Sequence, residues 1–83
     1  DTRIRAVVMD LHHVHAMDAT GLVNLDNAVT DLQRRGMLVV LAGLHDQPLE
    51  LVRKAGWERR GGHLVVAGSL TAGAEIARAW VEG

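Results

Sequence analysis

Val7-Val8-Met9-Asp10-Leu11, followed by Met17-Asp18-Ala19-Thr20-Gly21-Leu22, decides how this chain is read. The first stretch belongs to a run, Ile4 to Leu11, in which Ala6 to Met9 are apolar on both alternating faces. That is the pattern of a strand covered by helices on each side. The second stretch is a turn where a helical pattern begins. Oxygen-bearing side chains ahead of Gly21 collect carboxylate, hydroxyl and free N–H groups at a helix N-terminus, where the dipole favours negative charge. Such a turn can hold a phosphate or become phosphorylated.

Working outward, Met37 to Ala42 and Leu64 to Ala67 repeat the buried-strand pattern, and helical patterns lie between and after them. The first helix is expected from about Gly21 to Arg35, with Leu22, Leu25, Ala28, Val29 and Leu32 on one face and Asn24, Asn27, Asp31 and Arg34 facing out. Arg34 and Arg35 complement its C-terminal dipole, and Gly36 supplies a left-handed stop. A second helix begins near Asp46 to Pro48, turns Leu49, Val52 and Ala55 inward and ends at Gly56; Pro48 fits only a first turn. A third, capped by Ser69, carries Leu70, Ala74, Ala77 and Val81 on one stripe with Ile76 and Trp80 beside it. Gly73 within that helix costs about 1 kcal/mol relative to Ala unless close packing requires it. The order βαβαβα predicts an α/β fold: a small sandwich with a mainly parallel sheet and helices packed on it. The loop from Trp57 to His63, with a turn at Gly61-Gly62, is expected to be the least ordered part.

Eighty-three residues, 48% of them hydrophobic, make one small folded domain. Without Cys there is neither a disulfide framework nor a thiolate metal site, and a reducing cytosol is allowed. A net charge of −1, basic residues scattered as pairs and no Phe or Tyr argue against nucleic-acid binding. The longest apolar run, Leu38 to Leu44, is too short to span a bilayer, and no stretch resembles a signal peptide, so no direct membrane insertion is expected of this segment.

His12, His13 and His15 with Asp10 invite a metal reading. In an extended segment His13 and His15 share one face while His12 points to the other, so the ligands do not converge and no metal site is expected. Asp10 at a strand end invites comparison with aspartyl-phosphate phosphotransferases, which need a second carboxylate two residues on; position 12 is His. A nucleophile elbow and a Walker-type phosphate loop are both missing, so neither a catalytic residue nor a cofactor is expected.

Taken in order, Val7 to Leu11, Met17 to Leu22, Arg35-Gly36, Leu41-Ala42-Gly43-Leu44, Gln47-Pro48 and Ala55-Gly56 resemble the STAS domain, named for sulfate transporters and anti-sigma factor antagonists. The resemblance covers residues 4 to 57. It implies a strand pair and a helix ahead of Asp1 in a complete domain, so the segment is read as N-terminally incomplete. It also implies a non-catalytic regulatory module. In the family's anti-sigma factor antagonists the Ser or Thr before the turn glycine is the phosphorylation site, which matches Thr20, and the Asp two residues earlier, matching Asp18, shapes that loop. Ala19 stands where freestanding antagonists often have Ser. The stretch Leu41 to Pro48 followed by Leu51 to Gly56 is more similar to the C-terminal cytoplasmic domain of SulP-type anion transporters; the alternative is a freestanding antagonist that binds a kinase-type anti-sigma factor. In both branches the expected working surface comprises Met17, Asp18, Ala19, Gly21 and Leu22, the helix face of Asn24, Asn27 and Asp31, and Leu44, His45, Gln47 and Pro48. Its implied partner is the transporter's membrane domain, an anti-sigma factor or a second copy of the domain. The implied location is cytoplasmic, tethered at the inner face of the membrane in the transporter branch.

Overall fold

A computed structural model describes residues 5–60 and 63–83. Three strands, β1 (Ala6–Asp10), β2 (Leu38–Ala42) and β3 (Leu64–Ala67), form one sheet in the order β1-β2-β3. Both pairings are parallel, with Val8 opposite Val40 and Val40 opposite Val65. Three helices complete the chain: α1 (Ala19–Arg34), α2 (Asp46–Lys54) and α3 (Leu70–Glu82), with a 3-10 turn at Trp57–Arg59 after α2. Because the strands follow one another across the sheet in one direction, crossovers of one hand put α1 and α2 on the same face. The third helix, which follows the last strand, covers the other. This is the α/β sandwich expected from the residue pattern.

The central strand is the only one with all of its residues buried among those described. Val39 and Leu41 pack with Leu25, Val29, Val52 and Trp57 on the α1/α2 side. Leu38 and Val40 pack with Ala67, Ala72, Ile76 and Ala77 on the α3 side. By contrast, β1 is half-buried rather than covered on both faces, because it lies at the sheet edge. Ile4 and the turn at Gly61-Gly62 lie outside the described residues.

Three expectations are corrected by packing. Helix α1 starts two residues before Gly21, since Asp18 already occupies the capping position. In α2 the buried residues are Pro48 and Val52, whereas Ala55 is exposed and ends the helix. The apolar stripe of α3 is split: Ile76 and Ala77 meet the sheet together with Ala72 and Gly73, whereas Leu70, Ala74, Trp80 and Val81 are exposed. The reason is size. Small residues let the α3 backbone approach the sheet more closely than Leu70 and Val81 would allow. Nor is the stretch after α2 merely loose: Trp57 is buried in the core, and Arg60 donates to Asp26 Oδ1 at 2.7 Å and to Thr30 Oγ1 at 2.8 Å, both on α1.

Gly73 sits at the centre of this approach, where a Cβ would meet Val40 Cγ1 at 3.2 Å, Ala42 Cβ at 3.3 Å and Val8 Cγ1 at 3.3 Å. Gly36, at φ +78°, has open space around it and only backbone strain to lose. Gly73→Ala should therefore destabilise by about 1 to 3 kcal/mol through overpacking, although alanine is the better helix former. Gly36→Ala should cost only about 1 to 2 kcal/mol through its left-handed backbone. Urea unfolding of both variants checks this, and a stabilised Gly73→Ala would contradict the close approach.

Candidate functional site

Two segments leave the C-terminal edge of the sheet side by side: residues 11–18, joining β1 to α1, and residues 43–45, joining β2 to α2. Ligand sites in parallel sheets gather at this edge because the connections diverge there and expose backbone groups. Here the two segments are fastened together. Gln47, in the first turn of α2, accepts from the Met17 N–H at 2.7 Å and donates through Nε2 to the Met17 carbonyl at 3.0 Å. One side-chain amide thereby satisfies both backbone groups of a residue thirty positions away.

Asp18 follows directly. Its Oδ1 accepts the Gly21 N–H at 2.8 Å, the geometry of a helix N-cap, so the carboxylate and not Thr20 closes the first turn. Gly21 fits under that cap because a Cβ there would lie 3.1 Å from Met17 Cγ and 3.3 Å from Asp18 Oδ1. Thr20 occupies the second helical position, exposed, and its hydroxyl meets no hydrogen-bond partner among the described residues. Ala19 is exposed beside it and Leu22 is half-buried against the core.

The remaining expected surface residues divide. Asn24 and Asn27 are exposed on α1; Asp31 is exposed too, but it lies about 20 Å along the helix from Asp18 and pairs with Arg35 at 3.2 Å. Leu44 is half-buried and packs against the core, and Pro48 is fully buried, so it supports the first turn of α2 and presents nothing outward. His45 is exposed. Beside the fastened segments lies an open groove of about 710 Å³, lined by Leu11, Val14, Met17 and Leu25 with Asp18 and Asn24 as polar members. The sequence offered no direct signal for this groove, which forms between a loop and a helix flank.

The histidines are arranged differently from a strand-like alternation. Residues 12 and 13 form a turn, which stacks the His12 and His13 rings with centroids 3.8 Å apart. His12 donates to Asp10 Oδ1 from its ring Nδ1 at 2.6 Å and from its backbone N–H at 3.2 Å. The side-chain bond is the largest influence holding the Asp10 carboxyl below the usual carboxylate range, followed by the backbone bond. No group of three or more His, Asp or Glu side chains among the described residues is placed to hold a metal ion. No helix among them is long and apolar enough to cross a membrane.

Residues 1–64 match the family model of the STAS domain. The chain belongs to the STAS domain family. No curated protein and no solved structure matches it. Membership suggests a non-catalytic regulatory or interaction role, and the α/β sandwich described above is compatible with a STAS-like fold.

Two measurements test this edge of the STAS domain. Gln47→Ala should leave both Met17 backbone groups to water and cost about 0.5 to 1.5 kcal/mol, read by urea unfolding. Asp10, with its carboxyl depressed, contributes stability that is complete above the unfolded carboxylate pKa of about 3.9 and lost as pH falls through the lower folded value. Asp10→Asn should therefore flatten the acid limb of the melting-temperature profile below about pH 4. An unchanged limb would show that the His12 bonds do not act on folding.

Proposed function

We propose that this STAS domain is a non-catalytic docking module, and that its working surface is the fastened edge of the sheet. The surface consists of Met17 to Leu22, the adjoining Asn24 and Asn27 on α1, and His45 with Gln47. The observation that carries the reading is the two-point bond from Gln47 to Met17, which sets two loops from different crossovers into one rigid, exposed relief. A partner reads such a relief by shape. A catalytic role gains no support at Thr20, whose hydroxyl meets neither an imidazole nor a carboxylate at hydrogen-bond distance among the described residues.

The context we favour is the cytoplasmic STAS domain of a SulP-type anion transporter, on the character of Leu41 to Pro48, with the membrane domain or a second STAS domain as partner. A freestanding antagonist that captures a kinase-type anti-sigma factor is the second reading, and one observation speaks for it. The Thr20 hydroxyl is exposed and free at the start of α1, open to a kinase. A phosphate there would add about −1.5 to −2 charges beside a helix N-terminus that tolerates them, while intruding on a docked partner.

Thr20→Glu should leave the melting temperature close to wild type, because a carboxylate in a first helical turn is tolerated. It should weaken binding to the transporter membrane domain, or to the anti-sigma factor, about tenfold or more, a change of about 1.4 kcal/mol. Asp18→Ala should instead lower stability by about 0.5 to 2 kcal/mol through loss of the cap. Pull-down affinities paired with melting curves separate the two effects. Unchanged binding of Thr20→Glu to both partners would reduce the turn to a helix cap.

A further inference from the structure

Four imidazoles collect at the docking edge, in two ring contacts, and one of them is hydrogen-bonded to the backbone of the other segment. The His45 ring nitrogen Nε2 lies 2.6 Å from the His12 carbonyl oxygen. A carbonyl only accepts, so this nitrogen carries the proton. Against the His45 ring lies that of His15, with centroids 4.5 Å apart and planes tilted by 36°. His45 is also the N-cap residue of α2, yet its side chain does not cap the helix. It reaches across to the other segment, beside the bond from Gln47 to Met17.

The charges around this stack are few. Asp10 ends β1 and is engaged by His12, on which His13 is stacked. Asp18 caps α1 and Asp46 lies in the first turn of α2. The end of β3 at Ala67-Gly68-Ser69 carries no charge, and no Lys or Arg occurs in residues 6–33 or 36–52. The edge thus gathers four histidine rings and three aspartates. In acid, protons on both His15 and His45 would place two like charges 4.5 Å apart at the positive end of α2, with Asp46 able to offset one of them.

We propose that the His15–His45 stack is a pH-sensitive latch on the docking edge: protonation of both rings parts them and releases the segment that carries Met17 and Asp18. The proposal rests on reading this edge as the docking surface only for its biological meaning. Its physical content concerns the free domain. Acidification from about pH 7.5 to about pH 5.5, the range in which imidazoles take up protons, would loosen the relief that a partner reads.

Amide hydrogen exchange on the partner-free protein tests it, with each rate referred to the intrinsic rate at that pH. The Met17 N–H, bonded to Gln47, reports the latch, and the Val40 N–H at the centre of β2 reports global unfolding. Between about pH 7.5 and about pH 5.5, Met17 protection should fall about fivefold or more while Val40 protection changes less than about twofold. His15→Gln, which removes the proton, and His15→Phe, which keeps a ring without one, should both hold Met17 protection constant. His63→Gln, whose ring stacks on Trp80 away from this edge, should behave as wild type. A flat wild-type profile, or the same fall in both His15 variants, would overturn the latch and leave the docking reading untouched. Unchanged partner binding of Thr20→Glu would overturn the docking reading and leave the latch result standing.

Discussion

Complete burial of β2 is the constraint on which the rest of the molecule depends. Leu38 to Ala42 expose nothing, so this strand must have a neighbour on each edge and a helical layer on each face. Burying each Leu or Val side chain contributes about 1.5 to 3 kcal/mol, and no other element among those described concentrates so much apolar surface in five residues. The two layers meet it differently. On one face the large residues Leu25, Val29, Val52 and Trp57 fill the space; on the other, α3 comes close through Gly73 and leaves little space to fill. Among the described residues, three helices thereby cover the two faces of the sheet.

That framework decides what can happen at the C-terminal edge. Because β1 and β2 are locked in register, the segments that leave them start from fixed points one strand apart. Gln47 then ties them by gripping the Met17 backbone, and the Asp18 cap with the bare Gly21 sets the turn that follows. Thr20, Asn24 and Asn27 are left exposed beside this tie. Charges elsewhere are mostly neutralised locally: Asp31 with Arg35, Glu50 with Lys54, Glu58 with Arg53 and Asp26 with Arg60. Such exposed pairs add little stability. Their consequence is electrical, since the C-terminal edge of the sheet keeps carboxylates and imidazoles with no Lys or Arg nearby in sequence.

Arg60 shows where local reading stops. In sequence it is one of a basic pair in a Gly-rich stretch, and it reads as solvated. In space it lies 5.1 Å over the Trp57 ring and joins Asp26 and Thr30, closing the far side of α1. The outward position of Leu70 and Val81 on α3 has the same origin. Periodicity identifies a helix face rich in Leu and Val, but which face meets a sheet depends on how close the backbones must come, and that distance is a property of Val8, Val40 and Ala42 together.

By itself the sequence determined the order of strands and helices, the parallel sheet, the cap at Asp18, the stop at Gly36 and the family. The elements, the cap and the stop follow from residues within a few positions of one another, where periodicity, capping and turn geometry act; the parallel sheet and the family follow from the order of those local patterns along the chain. Only the tertiary structure decided that β1 is an edge, that Gly73 rather than Leu70 faces the sheet, that Pro48 is buried, and that Gln47 and His45 fasten one loop to another. Each of those depends on atoms thirty or more positions apart brought within a few ångströms, and no local pattern encodes which partner a side-chain amide or an imidazole will find there.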